Sequence, residues 1–279
     1  MEYVELSNGV KMPNFGLGTY LIKPNDALIT TRECLNMGYR LIDTANAYGN
    51  EKSVGKGIKE SLVKREDIFL STKLWVTEYD NENAVEETLK RLDTNYIDLL
   101  FIHQPSGSYL KAYKMLEKAY KEHKIRAIGV SNFEGKYLDE ILEKCEIKPH
   151  VIQVEAHPYF VQEELRSVLE KHNIKLMSWY PLGHGDDNLI NEKIFKELGT
   201  KYHKKPTQII LRWHLQMGFI TIPGSKSVEH IRENFDIFDF KLTDDEMKQI
   251  ATLNKNKRYY TRTDEMLKKF MDFKPIYED

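Results

Sequence analysis

The sequence has few of the residues that would assign it to a disulfide-bonded or metal-binding class of protein. Only two of its 279 residues are cysteines, Cys34 and Cys145, and they lie far apart in segments of helical character. A structural disulfide and a zinc site are therefore not expected, and two thiols suit the reducing cytoplasm, which is the location we predict. Five histidines also lack the sequence spacing to acids or cysteines that metal ligands usually have: His150, His157, His172, His203 and His214. No bound metal is therefore expected.

The sequence also lacks an excess of charge of either sign and long apolar runs. The chain carries 41 Lys and Arg residues against 43 Asp and Glu residues, a net charge of −2 without any basic block. Nucleic acid and membrane surfaces are therefore poor candidates as partners. The first residues lack the basic and apolar regions of a signal peptide, and no apolar run is long enough to span a bilayer. We expect a soluble protein with a sizeable core, since 41% of the residues are hydrophobic.

Short apolar runs alternate with longer segments of helical period along most of the chain. A hairpin is predicted at the start, with "YVEL" and "VKMP" on either side of the turn "SNG". Eight apolar runs follow, at residues 15–19, 40–43, 68–73, 97–103, 125–131, 151–156, 174–179 and 219–224. Continuous apolar strands between helices predict a parallel α/β sheet buried on both faces, and eight such units predict a closed (β/α)8 barrel, the TIM barrel.

An open doubly wound sheet is the alternative architecture for such a pattern. It usually begins with the turn G-x-G-x-x-G after the first strand, whereas "GLGTYL" has Leu21 at the third glycine position. No low-complexity linker divides the sequence, so a single barrel domain over residues 1–279 is predicted. Two helices are expected between residues 181 and 218, the second beginning near Pro206. The tail after about residue 240 is expected to pack its aromatic rings over the barrel mouth.

Ionisable residues end three successive strands of the predicted barrel. Asp43 ends the second strand, Lys73 the third and His103 the fourth. Tyr48 stands in the loop after the second strand. Taken singly, they would more often be a capping acid, a salt-bridged lysine, a core histidine and a packing tyrosine. Because the carboxyl ends of barrel strands meet at one face, where the active sites of such barrels lie, their joint position favours a catalytic group.

These four side chains indicate proton transfer to an oxygen. A lysine held beside an acid stays charged, because the opposite charge offsets its desolvation. The charge of Lys73 is expected to lower the pKa of Tyr48, which makes the phenol a better proton donor to a developing alkoxide. His103 can donate a hydrogen bond to the same oxygen. Because the group contains neither a nucleophile nor a redox centre, the hydride for such a carbonyl reduction has to come from a cofactor.

Eight motifs follow one another along nearly the whole chain, from the hairpin to about residue 240. They are "GLGTY", "IDTANAYGNE", "STKLW", "FIHQP", "IGVSNF", "IQVEAHPYF", "PLGHG" and "IPGSKSVEHIRENFDIFDF". In these motifs the sequence resembles the aldo-keto reductase family, and within it the compact bacterial-type members. The resemblance implies a (β/α)8-barrel oxidoreductase that uses NADPH to reduce aldehydes and ketones to alcohols.

The resemblance also implies roles for individual residues. It places the catalytic tetrad, with tyrosine as the general acid, at Asp43, Tyr48, Lys73 and His103. Contacts with the nicotinamide, including ring stacking, are implied for Ser131, Asn132, Gln153 and Trp179. Contacts with the phosphates and the adenosine are implied for Leu182, Gly183, His184, Ser225, Lys226, Ser227, His230, Glu233 and Asn234. The substrate is expected to contact Tyr20, Trp75 and His103.

The sequence departs from the common family pattern in the cofactor segment and in the pocket. Gly224 and His230 stand where many relatives have a lysine and an arginine, with Lys226 and Arg232 available to compensate. NADPH is therefore the expected cofactor, with some use of NADH. Gln104 stands where a tryptophan commonly follows the catalytic histidine, which predicts a more polar pocket. By analogy with the family, we expect a monomer that accepts many small aldehydes and ketones.

Two other functions are compatible with the sequence. In a Schiff-base aldolase Lys73 would attack the carbonyl, but this needs a neutral lysine, and Asp43 argues against it if the two side chains meet. A redox-sensing subunit would bind the cofactor with little turnover, and the tetrad permits that role. A purely structural, crystallin-like role has no specific support in the sequence.

Overall fold

A hairpin closes one end of the barrel in the computed structural model, which describes residues 1–278 of the chain. Its strands, β1 (Tyr3–Glu5) and β2 (Lys11–Pro13), pair antiparallel as the sequence predicts. Leu6 and Met12 are almost fully buried and pack against side chains that the barrel strands direct inward. The hairpin therefore fills the amino-terminal end of the barrel with apolar side chains.

Parallel strands form the barrel that the sequence predicts. They are β3 (Leu17–Gly18), β4 (Leu41–Asp43), β5 (Phe69–Leu74), β6 (Leu99–Ile102), β7 (Ile128–Ser131), β8 (Val151–Glu155), β9 (Lys175–Trp179) and β10 (Ile220–Thr221). Each strand pairs in parallel with the next strand along the chain. Bridges between Phe15 and Thr221 and between Gly18 and Gly224 join the two edges and close the sheet into a (β/α)8 barrel.

Helices lie between and after the strands along the chain and surround the barrel, except that the last one lies across its carboxyl end. In chain order they are α1 (Pro24–Met37), α2 (Glu51–Glu60), α3 (Ala84–Leu92), α4 (Tyr109–Lys121), α5 (Lys136–Lys144), α6 (Glu163–Lys171), α7 (Asp187–Ile190), α8 (Lys193–Tyr202), α9 (Pro206–Gln216), α10 (Val228–Phe235), α11 (Asp244–Ala251) and α12 (Asp264–Asp272). Pro206 begins α9 as predicted, because a first-turn residue needs no N–H partner. No helix within residues 1–278 combines the length and the apolar character that crossing a membrane requires.

The segment between residues 181 and 218 holds one helix more than the two expected. The additional helix is α7, which has a single turn. Asp186 stands at its N-cap and accepts a hydrogen bond from the Asn188 N–H at 2.9 Å. This side-chain cap satisfies a backbone donor that a short helix would otherwise leave unpaired.

Side chains alternate along the strands between the barrel interior and the layer of helices. In β5, Phe69 packs inside the barrel and Leu74 packs toward the helices. The period of two therefore turns Lys73 into the barrel, near its carboxyl end. In β4, Leu41 packs inside, so Asp43 points inward as well. Strand period alone thus directs the two charged side chains into the same space.

The tail crosses the carboxyl end of the barrel, as predicted. Trp75 Nε1 donates hydrogen bonds to Phe270 O at 3.2 Å and to Phe273 O at 3.0 Å. Ser106 Oγ donates to Leu267 O in α12 at 2.7 Å. The rings of Phe270 and Phe273 pack edge-on to the Trp75 ring, with centres 5.1 and 5.6 Å away. The tail is therefore joined to the loops that follow β5 and β6.

Candidate active site

A buried ion pair lies at the carboxyl ends of β4 and β5. Lys73 Nζ donates to Asp43 Oδ2 at 2.5 Å and to the carbonyl oxygen of Thr44 at 2.7 Å. Both charged side chains are at most 2% exposed. Asp43 Oδ1 also accepts hydrogen bonds from Ser71 Oγ at 2.7 Å and from Gln153 Nε2 at 3.2 Å. These contacts offset the desolvation of two charges and hold Lys73 in one position.

Tyr48 and His103 bring their rings close to each other and to this ion pair. Tyr48 ends a short 3₁₀ helix after β4, whose first residue, Asn46, accepts a hydrogen bond from the Trp75 N–H at 2.9 Å. Lys73 Nζ lies 5.0 Å from the centre of the Tyr48 ring. The ring centres of Tyr48 and His103 are 5.8 Å apart. The structure therefore brings together the four residues of the predicted tetrad.

Burial dominates the proton affinities of these groups. It raises the pKa of the Tyr48 phenol well above its ordinary 10.0, and the charge of Asp43 adds to the effect. The fall in the pKa of Tyr48 that was expected from the charge of Lys73 is therefore not found, because burial is the larger effect. Burial also lowers the pKa of Lys73, against the opposing effect of Asp43. It lowers the pKa of His103 well below 6.5, with a contribution from the Lys73 charge.

A cavity of about 970 Å³ opens at the carboxyl end of the barrel. Its lining includes three residues of the predicted tetrad, Asp43, Tyr48 and His103. Lys73 is fully buried outside the lining, so its side chain does not border the cavity itself. The predicted substrate contacts Tyr20 and Trp75 also line the cavity. Their ring centres lie 5.1 Å from Tyr48 and 5.0 Å from His103, respectively.

The residues predicted to contact the nicotinamide line the same cavity. They are Ser131, Asn132, Gln153 and Trp179. Asn132 has a left-handed φ of 65°, which asparagine tolerates, and it accepts a hydrogen bond from Trp179 Nε1 at 3.1 Å. Gln153 Nε2 already donates to Asp43 and to the Met177 sulfur, so its carbonyl oxygen is the end of the amide that remains for a ligand.

The loop after β9 borders the cavity with a left-handed backbone. Leu182 and His184 line the cavity, and Gly183 is buried between them. The φ angles of Gly183 and His184 are 61° and 58°. A Cβ on Gly183 would lie 2.6 Å from Leu189 Cδ2, so a larger residue would have to displace that side chain, and the positive φ also favours glycine. Successive N–H groups in such turns form concave surfaces that suit phosphate.

The tail holds this loop and the end of β8 together. Tyr259 OH donates to Asp186 Oδ2 at 2.5 Å, which lowers the pKa of Asp186 to about 2. The N–H groups of Tyr259 and Tyr260 donate to the Glu155 carboxylate at 2.6 and 3.1 Å. Tyr260 also lies edge-on to Trp179, with 5.7 Å between the ring centres. The tail thus contacts both the loop after β9 and Trp179, the aromatic residue predicted to stack on the nicotinamide.

Sequence reasoning predicted a tail over the mouth without identifying the tail residues that form the cavity wall. They are Tyr260, Met266, Lys269, Phe270 and Phe273. Their one signal in the sequence was the aromatic character of the tail, which indicates burial but not position.

The residues predicted after β10 divide into two groups. Ser225 and Lys226 line the cavity. Outside the lining lie Ser227, His230, Glu233 and Asn234. Ser227 Oγ accepts the His230 N–H at 3.3 Å and caps α10, while Glu233 forms a salt bridge with Lys205. Contact of these four residues with an adenosine stays a prediction.

The cavity and its donors fit a nicotinamide dinucleotide. Its volume of about 970 Å³ lies at the upper end of the range for small-molecule pockets. Hydroxyl and amide groups at strand ends, the Trp179 ring and a glycine-containing turn offer hydrogen bonds, stacking and phosphate contacts. In the described part of the chain, residues 1–278, no cluster of three or more His, Cys, Asp or Glu residues is arranged to hold a metal ion.

Comparison with protein families identifies the chain. The sequence model described as "Aldo/keto reductase family" matches residues 12–255, which include every residue of the site outside the end of the tail. The chain belongs to the aldo/keto reductase family. It is therefore an oxidoreductase of a family that reduces carbonyl groups, and the resemblance seen in its motifs is confirmed.

Individual members of the family match over nearly their whole length. The glyoxal reductase of Bacillus subtilis (strain 168) is 45% identical over 271 residues, which cover 95% of this chain and 98% of the relative. The crystal structure of MGS-M4, an aldo-keto reductase from a Medee basin deep-sea metagenome library, superimposes with a TM-score of 0.90 at 39% identity, covering 94% and 98% of the two chains. The crystal structure of a Bombyx mori aldo-keto reductase in complex with NADP superimposes with a TM-score of 0.86 at 32% identity. The match covers 93% of this chain and 95% of the Bombyx mori chain.

The hydrogen bond between Tyr259 and Asp186 leads to a prediction about the mobility of the loop. Tyr259→Phe removes only the hydroxyl that binds Asp186, so we expect amide hydrogen exchange in residues 182–188 to become about 5-fold faster in the ligand-free protein. Tyr202→Phe is the matched control, because Tyr202 OH binds the Glu246 carboxylate at 2.7 Å between α8 and α11. Equal exchange in wild type and Tyr259→Phe would contradict the prediction.

Proposed function

We propose that the chain is an NADPH-dependent reductase of small aldehydes and ketones and acts as a single barrel domain. One observation carries the proposal. The Tyr48 ring lies 5.0 Å from the Lys73 ammonium and 5.8 Å from the His103 ring, in the wall of one cavity. When bound, the reduced nicotinamide would supply a hydride to the carbonyl carbon. The chain's own residues would hold the reacting oxygen and supply the proton.

Tyr48 is the proposed general acid. Because burial raises the pKa of its phenol, the hydroxyl keeps its proton at neutral pH until a stronger base forms beside it. An alkoxide that develops on the substrate is such a base, and the proton passes to it from the Tyr48 oxygen. The resulting phenolate would lie close to the Lys73 ammonium, which Asp43 holds in place. Lys73 and Asp43 thus act through Tyr48, by stabilising the charge that it acquires.

His103 is proposed to orient the same oxygen. Burial and the charge of Lys73 keep its ring neutral, so one ring nitrogen carries a proton that it can donate. The Nδ1 atom is buried and has no hydrogen-bond partner among residues 1–278, and the ring lies edge-on to Tyr48. A neutral donor at this position stabilises negative charge on the substrate oxygen as it develops.

The proposed cofactor contacts follow the lining of the cavity. The nicotinamide would pack against Trp179, with its carboxamide held by Ser131, Asn132 and the free carbonyl oxygen of Gln153. The Bombyx mori relative in complex with NADP supports NADPH as the cofactor. Some use of NADH is part of the proposal, because glycine and histidine at positions 224 and 230 cannot form the bidentate phosphate contact of an arginine.

Small carbonyl compounds are the proposed substrates. The glyoxal reductase of Bacillus subtilis, 45% identical, supports a small aldehyde. Tyr20 and Trp75 would frame the carbonyl beside Tyr48 and His103. The monomeric state and the cytoplasmic location expected from the sequence stay predictions. Schiff-base chemistry is disfavoured, because Lys73 and Asp43 do meet in an ion pair.

Cofactor oxidation tests the proposed reaction directly. Purified protein and a small aldehyde should oxidise NADPH rapidly and NADH more slowly, as measured by the absorbance of the reduced nicotinamide. We expect Lys226→Met to reduce the preference for NADPH, because its ammonium is a cation in the part of the cavity wall formed by the loop directly after β10. The exposed Lys193→Met serves as the control. Tight binding of either cofactor without turnover would instead favour the redox-sensing subunit.

Tyr48→Phe tests the role of the phenol. We expect kcat for aldehyde reduction to fall by about 100- to 10,000-fold, because the proton donor is removed. The dissociation constant for NADPH should stay within about 3-fold of wild type, because binding does not need that proton. Tyr202→Phe controls for the loss of a tyrosine hydroxyl at a distant site. Parallel losses of turnover and cofactor affinity would show that Tyr48 acts in binding.

The shifted pKa values predict a flat pH profile for reduction. Tyr48 must be protonated, and its pKa above 10.0 means that the active form is lost only at higher pH. His103 must be neutral, and its pKa below 6.5 means that this form is lost only at lower pH. The kcat/KM for an aldehyde should therefore be constant from about pH 7 to 9. An ionisation inside this window would contradict the assigned protonation states.

A further inference from the structure

We infer that residues 276–278 of the tail are positioning residues for Tyr48, the proposed general acid. These residues hold the phenol in place from outside the barrel, through residues 46–53, the segment that contains Tyr48 and the start of α2. The inference rests on the proposed function and goes beyond it by giving residues outside the cavity a role in the reaction. It is carried by hydrogen bonds of Tyr277 and Glu278 and by one close backbone contact.

Tyr277 links the loop that contains Tyr48 to the loop after β5. Its hydroxyl accepts a hydrogen bond from Asn46 Nδ2 at 3.4 Å and donates to Glu78 Oε1 at 2.7 Å. Asn46 is the first residue of the 3₁₀ helix that ends at Tyr48. Arg91 lies over the face of the Tyr277 ring, with 4.4 Å between the guanidinium carbon and the ring centre. Tyr277 is thus held in place itself and restrains the short helix that carries the phenol.

Glu278 caps α2, the helix that follows Tyr48. The first N–H groups of a helix need acceptors, and the side chain of the local cap residue, Asn50, does not provide one. Asn50 Oδ1 accepts from Thr44 Oγ1 at 2.8 Å instead, and its Nδ2 donates to two backbone carbonyl oxygens. The Glu278 carboxylate accepts from the Ser53 N–H at 3.0 Å and from the Ser53 hydroxyl. A carboxylate at this end of a helix also interacts favourably with the helix dipole.

The two backbones meet at Gly49, directly after Tyr48. A Cβ on Gly49 would lie 2.7 Å from the Ile276 carbonyl oxygen, so any other residue there would force the two segments apart. Gly49 also has a φ of 63°, which glycine adopts readily. The Ile276 side chain is 88% exposed, so apolar burial does not hold the tail at this point. Polar contacts and backbone fit hold it there instead.

Proton transfer is the step that depends on this arrangement. The donor oxygen has to come within about 2.6–3.2 Å of the oxygen that it protonates. A displacement of about 1 Å can lower a reaction rate about 100-fold. None of residues 276–278 lines the cavity, so replacing them removes no direct contact with a molecule bound there. Their loss should therefore lower the rate of reduction and leave the affinity for the cofactor unchanged.

Two substitutions at separate contacts test the inference. Tyr277→Phe removes the hydroxyl, and Glu278→Met removes both acceptor oxygens. We expect each to lower the single-turnover rate of aldehyde reduction about 10-fold, with the dissociation constant for NADPH within about 2-fold of wild type. Glu278→Gln should restore the rate, because its oxygen can accept from the Ser53 N–H and its amide can donate to the Ser53 hydroxyl. Tyr202→Phe, which removes a hydroxyl bound to Glu246 at 2.7 Å, is the matched control.

A second comparison distinguishes positioning from a general loss of stability. If residues 276–278 act through the phenol, Tyr277→Phe should change the rate that remains in Tyr48→Phe by less than about 2-fold. Amide hydrogen exchange provides a readout without turnover. In ligand-free Tyr277→Phe, exchange in residues 46–53 should become about 5-fold faster, while exchange in α8 stays at the wild-type rate.

The outcomes separate this inference from the proposed function. If wild type oxidises no NADPH with a small aldehyde, the proposed function fails and the inference fails with it. In an active enzyme, wild-type rates in both Tyr277→Phe and Glu278→Met would overturn the inference alone. Equal losses from Tyr277→Phe in wild type and in Tyr48→Phe would do the same, because they would show an effect that does not pass through the phenol. One of the two substitutions decides the question if the other prevents folding.

Discussion

The burial of the Lys73 ammonium against Asp43 is the interaction on which the candidate site depends. Two charges removed from water are tolerated because each has several partners: Thr44 accepts from the ammonium, and Ser71 and Gln153 donate to the carboxylate. In comparable buried pairs, removing one partner destabilises the protein by about 3–5 kcal/mol. The pair also joins the ends of neighbouring strands, at the point where the loop with Tyr48 begins. The ion pair therefore fixes the ends of β4 and β5 relative to each other, and with them the start of the loop that positions the Tyr48 phenol.

The same burial gives Tyr48 and His103 complementary protonation states. Low solvent exposure disfavours the charged form of either group, so the phenol is protonated and the imidazole is neutral. Both rings then present a hydrogen-bond donor to the cavity. In the proposed reaction Lys73 acts when Tyr48 gives up its proton, because the ammonium is a nearby charge that can offset a phenolate. The proposed reaction would thus develop negative charge on a ring that already lies 5.0 Å from a buried ammonium.

The cavity is completed by residues that are distant in sequence. Glu155 at the end of β8 accepts two backbone hydrogen bonds from a turn of the tail, 104 and 105 residues further along the chain. From this turn Tyr259 binds the loop at Asp186 and Tyr260 packs against Trp179. The proposed substrate side depends on the tail as well, since Trp75 binds its carbonyl groups. One segment therefore connects the proposed cofactor and substrate regions.

Local patterns in the sequence were sufficient to predict the barrel and the main residues of its mouth. Apolar runs alternate with helical segments, and strand period directs Asp43 and Lys73 inward, so both follow from neighbouring residues along the chain. The hairpin, the tail over the mouth and the helix that begins at Pro206 were predicted for the same reason. The one-turn helix α7 was missed, because four residues are too few for a periodic signal and its side-chain cap is a single residue.

The sequence by itself determined the order of strands and helices, the family, and which ionisable groups end the barrel strands. Only the tertiary structure decided the proton affinities, the cavity wall and the free hydrogen-bonding capacity within it. The pKa of Tyr48 rises where sequence reasoning predicted a fall, because burial, the largest cause of the shift, depends on packing in three dimensions. No group in residues 1–278 pairs with the buried side-chain oxygen of Gln104, and this too is a property of its surroundings. Periodicity reports which face of a strand is buried, whereas solvation and hydrogen-bond pairing depend on residues that only the closed barrel brings together.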